Sequence, residues 1–161
     1  MAIGLTAWLA PILCFTAEEA WQSWIGDPEN SVHLRSYDPI PSNWANRGIA
    51  ARWDVIRRVR QVVMGALENA RNDGKIGASL QAAPIVHVSA DIKALFDGLD
   101  VASLFITSAA VITNDPAPQD AFTLEGITDV SIAFAMADGK KCARCWRITP
   151  EVTAEGEICN R

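Results

Sequence analysis

Near one end of the chain four residues read Cys142-Ala143-Arg144-Cys145, and a third thiol, Cys159, follows after thirteen more. Two thiolates at C-x-x-C spacing can grip one zinc ion from a tight turn, and further donors then complete a tetrahedron. A cysteine one position past Arg161 would make the pattern C-x2-C-x13-C-x2-C, close to a known zinc-site spacing. The expectation is therefore a zinc knuckle on Cys142, Cys145 and Cys159, with its fourth ligand lost by truncation. Two other readings stay open, a thioredoxin-like redox pair and ordinary buried thiols. The redox pair should open a helix inside a βαβ unit, whereas this C-x-x-C follows an Asp138-Gly139 turn signal.

Lys140, Lys141, Arg144, Trp146 and Arg147 surround the cysteines. Cations for phosphates and an indole for stacking are the means by which proteins hold single-stranded nucleic acid. The same residues also suit a solvated turn with Trp146 packed on a metal site. Arg52, Arg57, Arg58 and Arg60 form a second basic group, which an exposed, solvated helix face explains better than a binding role. Elsewhere Cys14, in an Ile-Leu-Cys-Phe context, reads as core, His33 as a loop residue and His87 as part of a strand. No Ser/His/Asp set, phosphate-cradling glycine loop or HExxH pattern occurs, so no catalytic residue is nominated.

Charge narrows the partners. The 161 residues carry a net charge of −5, the wrong overall sign for a nucleic-acid binder. Yet five of the 14 basic residues lie in 47–60 and four more in 140–147. The stretch 91–138 holds eight acids and a single lysine. A polyanion must meet two basic patches on an acidic body. Half the residues are hydrophobic and 20% charged, which excludes a disordered tail.

Two zones position these groups. The first, to about residue 74, reads as helical. Thr16-Ala17-Glu18-Glu19 suits a capping box, and Trp21, Trp24 and Ile25 then share one apolar face. Pro28, Pro39 and Pro41 mark a loop over 26–42. A long helix is expected over 43–72, where Trp53, Ile56, Val59, Val63, Ala66 and Ala70 step by three and four with Leu67 beside them. The helices of this zone should pack together around Trp21, Trp24, Trp53, Ile56 and Val63. The second zone, 75–138, reads as small α/β. It has a strand at 84–89, a short helix capped by Asp91, a buried strand at 103–113, a loop at 114–120 and an alternating strand at 128–136. The knuckle occupies 139–161.

Residues 1–17 are apolar but lack early Lys or Arg, and Pro11 interrupts them. A buried helix end fits better than a signal peptide, and the run is too short for a membrane span. Few cysteines, two of them in a C-x-x-C, fit a reducing compartment, so the expected location is the cytoplasm, with no membrane partner.

Taken in order, LAPILCFTAEEAW (9–21), RWDVIRRVRQVVMGALENAR (52–71), KIGASLQA (75–82), LFITS (104–108) and DGKKCARCWR (138–147) resemble the C-terminal end of bacterial isoleucyl-tRNA synthetases. The likeness runs from Trp8 onward. The first segment is shared with valyl and leucyl relatives, whereas KIGASLQA and KCARCWR are far more specific to the isoleucyl branch. The resemblance implies a mainly α fold, a helical anticodon-binding bundle followed by a small α/β segment and a zinc finger. It implies zinc on Cys142, Cys145 and Cys159. It also implies contact with the anticodon region of isoleucine tRNA through Arg144, Trp146 and Arg147, with Lys140 and Lys141 beside them. By that kinship the parent is a monomeric aminoacyl-tRNA ligase whose ATP site, His-Ile-Gly-His and Lys-Met-Ser-Lys-Ser signatures and editing domain are absent from this string. The string is then a fragment that charges no tRNA by itself. The alternative is a free-standing zinc-dependent nucleic-acid or protein-interaction module.

Overall fold

The computed structural model describes residues 2–37 and 39–160. N-terminal helices are followed by a mixed four-stranded sheet and a small two-stranded sheet that carries the cysteines. Chain contacts divide the protein into two compact units, 1–46 and 47–161.

In the first unit, α1 (Ala2–Leu9) and α2 (Cys14–Ile25) pack together around Ala7, Ala10, Ala17, Trp21 and Val32. Pro11 sits in the turn between them, where its missing amide costs nothing. The expected capping box does not form. Helix α2 starts at Cys14 with no side-chain cap, so Thr16 already lies inside it. Glu18 is used across the fold instead: one carboxylate oxygen accepts the Ser31 hydroxyl and the Val32 amide, each at 2.9 Å. Its bond from Gln22 leads the causes that hold the Glu18 carboxyl below its ordinary range. These contacts pin the short 3-10 turn Val32–Leu34. Trp21 is buried and donates its indole N–H to the Asn30 carbonyl at 2.6 Å. The shared face expected of Trp21, Trp24 and Ile25 splits, because Trp24 and Ile25 are exposed. Cys14 is exposed too, contrary to the core reading, and the apolar start of the chain is only partly buried.

The second unit is built on α3 (Arg47–Asn72), which begins later than expected because Ser42–Trp44 form a separate 3-10 turn. Ile56, Val59, Val62, Val63, Ala66, Leu67 and Ala70 are buried along it, the stripe that periodicity predicts with Val62 added. Gly74, at φ +71°, lets the chain reverse. Its amide bonds the Arg71 carbonyl and that of Lys75 bonds Ala70, a Schellman closure.

Helix α3 lays this stripe on the sheet. The strands are β1 (Ile85–Val88), β2 (Val111–Thr113), β3 (Phe122–Leu124) and β4 (Ile127–Ala133), in spatial order β2-β1-β4-β3. Strand β1 runs parallel to β2 and antiparallel to β4, with Val86 opposite Ile112 and Ile132. Val130 and Ile132 are buried as alternation predicts, whereas Met136 lies past the strand end and is exposed. Gly65 of α3 admits the Phe122 ring, which would stand 3.1 Å from a Cβ there. Trp53 is half-buried against this core rather than at its centre.

Two local expectations fail. Residues 103–113 are not one buried strand: α5 (Val101–Phe105) takes the first three residues and β2 only the last three. Asp100 caps α5 by accepting the Ser103 amide at 3.1 Å, and Ile106 turns the chain at φ +56°. An apolar run does not reveal its period, and here the cap decided the outcome. Likewise Ser89, not Asp91, caps α4 (Ala90–Ala94). Among the described residues no helix is long and apolar enough to cross a membrane.

Candidate metal centre

Strands β5 (Lys140–Lys141) and β6 (Ile148–Thr149) pair antiparallel, with Lys140 opposite Thr149 and Lys141 opposite Ile148. The six residues between them form the knuckle. Gly139 enters it at φ +107°, and a Cβ there would lie 2.2 Å from the Thr149 carbonyl. No side chain fits such a backbone approach. Gly139→Ala should therefore loosen the β5–β6 pair and lower metal content, whereas Gly4→Ala in α1, where a Cβ would meet only the Trp8 ring at 4.0 Å, should leave metal content unchanged. Metal analysis of both purified variants checks this.

The turn gathers the thiols. The Sγ atoms of Cys142, Cys145 and Cys159 all lie within 4.8 Å of one another, and Cys145 and Cys159 approach to 3.5 Å. Cys142 and Cys159 are buried and Cys145 half-buried. Backbone amides of Arg144 (3.4 Å), Cys145 (3.5 Å) and Cys159 (3.3 Å) converge on Cys142 Sγ. Those of Cys145 and then Cys159 do most to pull its pKa down to about 6, against the opposing effect of burial. Hydrogen bonds to the charged form favour it, so the fold prepares a thiolate. Cys145 moves the other way. The Arg147 amide lowers its pKa, but burial and the neighbouring thiols Cys159 and Cys142 outweigh it. Such a donor set fits a metal ion: three sulfurs face one point and one is held ready as an anion.

The supporting frame is also local. The Cys142 amide donates to the Arg147 carbonyl at 2.8 Å, and the Trp146 amide to the Cys142 carbonyl at 3.0 Å. The Glu157 carboxylate accepts amides from Ala154 and Thr153 and the Thr153 hydroxyl. The Ala154 amide contributes most to holding its pKa below the usual range. This fixes the loop that returns Cys159 to the knuckle.

With the site in view, its relatives can be placed. Residues 2–87 match the family described as the anticodon-binding domain of tRNA ligase. The chain belongs to that family. It is 47% identical over 152 residues to the isoleucine–tRNA ligase of Agrobacterium fabrum, covering 94% of this chain and 16% of that protein. It is 46% identical over 160 residues to the isoleucine–tRNA ligase of Ruegeria pomeroyi, covering 98% of this chain and 16% of that one. The Bartonella henselae isoleucine–tRNA ligase is 46% identical over 153 residues. The chain thus spans 16% of the length of these relatives.

Trp146 stands 62% exposed, with Lys141 Nζ 5.1 Å from its ring centroid. Its backbone is left-handed at φ +65°, a conformation unfavourable for a bulky residue. Lys140 and Lys141 are exposed on β5. Arg144 and Arg147, grouped with them by sequence, have internal work: Arg144 Nη2 donates to the Cys159 carbonyl at 3.0 Å and Arg147 Nη2 to Ser103 Oγ at 2.7 Å. The second basic group divides similarly. Arg52 donates to the carbonyls of Leu95 and Asp97, and Arg60 to that of Leu104, bracing α4 and α5 against α3. Arg57 pairs with Asp54 on the surface. Sequence reasoning missed these braces, together with Ser103, Ser108 and Glu157. Their partners lie 3 to 45 residues away, and only the cap-like Asp100-x-x-Ser103 spacing hinted at any of them.

Proposed function

We propose that this chain is the anticodon-binding and zinc-finger part of an isoleucine–tRNA ligase, supporting ATP-dependent charging of isoleucine tRNA in the cytoplasm by a monomeric parent. Within it, helices of residues 1–74 face the tRNA, residues 75–138 form a supporting α/β segment, and residues 139–161 form the finger. Cys142, Cys145 and Cys159 hold zinc. Zn–S bonds of about 2.3 Å suit a close cluster of thiols, and a fourth donor completes the tetrahedron. When bound, the ion closes the turn and fixes its shape. Every reacting group for amino-acid activation belongs to the catalytic domain, and this chain contributes binding alone.

The observation that carries the reading is the Trp146 indole, open to solvent beside Lys141 on a thiol-built turn, in a chain of the anticodon-binding family. An exposed ring offers a base its face, while Lys140 and Lys141 meet the phosphates. Arg144 and Arg147 add positive charge beside the ring, which favours a polyanion.

Trp146→Ala in the full-length ligase should weaken isoleucine-tRNA binding by about 1–3 kcal/mol per base stacked. Isoleucine activation with ATP should stay nearly unchanged. Trp146→Gly sharpens the test. Glycine suits the left-handed backbone, so this variant should hold metal at least as well as the parent while binding tRNA equally poorly. Lys141→Ala should reduce the log–log salt slope of binding by about 0.7. If activation fell as far as tRNA binding, the finger would be a support for the whole enzyme and the anticodon reading would be wrong.

A further inference from the structure

Beside Trp146 lies a groove of about 350 Å³ whose lining includes Gly77, Leu80, Gln81, Lys141, Trp146 and Ile148. One wall is the segment 77–81, the other the finger. The first wall is organised by itself, because Gln81 Oε1 accepts the amides of Gly77 (2.6 Å) and Ala78 (3.0 Å). It is also tied to the chain after β4 by the Ala137 amide on the Gln81 carbonyl at 2.8 Å. The second wall rests on the knuckle.

A single hydroxyl joins them. Ser108 Oγ accepts the Ile148 amide at 2.7 Å and donates to the Leu80 carbonyl at 2.5 Å. Its own amide bonds the Ala82 carbonyl at 3.2 Å, and the residue is 9% exposed. One oxygen thus sets the spacing between Leu80 and Ile148, which line opposite sides of the groove. Only a group that is both donor and acceptor can serve a carbonyl and an amide at once. An alanine leaves both groups unpaired, and a cysteine replaces the link with weak bonds.

We propose that Ser108 is the positioning residue of the RNA-binding face, holding the finger and its Trp146 ring at a fixed spacing from the 77–81 wall. The proposal rests on the tRNA reading above for its purpose, but not for its geometry. Metal binding is independent of it, because all three thiols and the amides on Cys142 lie on the finger itself. The link at Arg147 Nη2 to Ser103 Oγ is a second tether between finger and body, so losing Ser108 shifts the finger without freeing it.

The test compares the wild-type chain, Ser108→Ala and Ser108→Cys, each loaded with zinc, with the anticodon stem-loop of isoleucine tRNA as the RNA probe. Zinc stoichiometry is expected to be unchanged. Exchange of the Ile148 amide with solvent should speed up in both variants, more in the alanine. Stem-loop affinity should fall about five- to tenfold in Ser108→Ala, the equivalent of one hydrogen bond. Ser108→Thr, which restores the hydroxyl, should recover the Ile148 protection. A Val130→Ala control weakens the sheet core away from the groove and should leave stem-loop affinity unchanged below its melting temperature. Should Ser108→Ala not fold, Ser108→Cys carries the comparison. Unchanged Ile148 exchange in a folded variant overturns the proposal, as does unchanged stem-loop affinity where the wild type binds. If the wild-type chain binds no RNA, the tRNA reading fails, and the Ile148 exchange alone then decides whether Ser108 holds the finger.

Discussion

Cys142→Ser should abolish tight metal binding and leave residues 139–160 without a fixed structure, while α3 and its sheet stay folded. Cys142 is the most buried of the three thiols and takes three backbone amides on its sulfur. Serine removes the thiolate those amides stabilise and offers a hydroxyl that is no soft donor for zinc. Structural zinc in finger peptides contributes about 10–16 kcal/mol of apparent binding free energy at neutral pH. Loss of a central ligand should therefore exceed any stability the small β5–β6 pair supplies alone. Cys145→Ser should be milder, because the Cys145 thiol is half-exposed and its pKa is raised rather than lowered. Zinc titration against a competing chelator, with amide exchange to report which residues loosen, checks both. Tight zinc in Cys142→Ser would remove the thiol cluster from the metal reading altogether.

What could be read from the string follows the range of the interactions. The C-x-x-C, the turn before it and the stripe on α3 are local patterns with a fixed period, and each appears where expected. So do the strand expected at 84–89 and the alternating strand at 128–136, seen as β1 and β4. Errors arise where a pattern has two solutions or a partner is distant. Thr16-Ala17-Glu18-Glu19 satisfies the capping-box spelling, yet α2 begins two residues earlier and Glu18 serves the 31–32 segment. The arginines of α3 looked like one solvated face, but Arg52 and Arg60 reach carbonyls more than 40 residues away. Trp24 follows the helical period of Trp21, and periodicity says which residues share a face, not whether anything covers it. Ser108 carried no signal as a polar residue in an apolar run, and its role needs three distant segments to be placed first.

Phe105→Ala should cost about 3–5 kcal/mol of stability, the range for truncating a fully buried aromatic. Its ring is 0% exposed, sits against the Phe96 ring with centroids 6.2 Å apart, and belongs to the cluster that includes Ile56, Val59 and Val63 of α3. Burial of this kind ties the helical and sheet layers together, so the loss should be felt across the second unit. Ile106→Ala makes the contrast. Ile106 is exposed and left-handed at φ +56°, where a β-branched side chain is poorly accommodated. Its truncation should cost under about 0.5 kcal/mol, as at ordinary surface sites, and Ile106→Gly should stabilise. The pair also separates the two readings of residues 103–113. A doubly covered strand buries successive residues on both faces, so both truncations would be costly there. A helix ending in a left-handed turn buries Phe105 and releases Ile106. Denaturant unfolding of the two variants reads the difference, and comparable losses would restore the strand. The same measurement bears on the finger, because Phe105 and Ile106 lie between its two tethers, Ser103 and Ser108. Phe105→Ala should therefore weaken the finger's attachment along with the core, whereas Ile106→Ala should leave zinc binding and RNA affinity at wild-type levels.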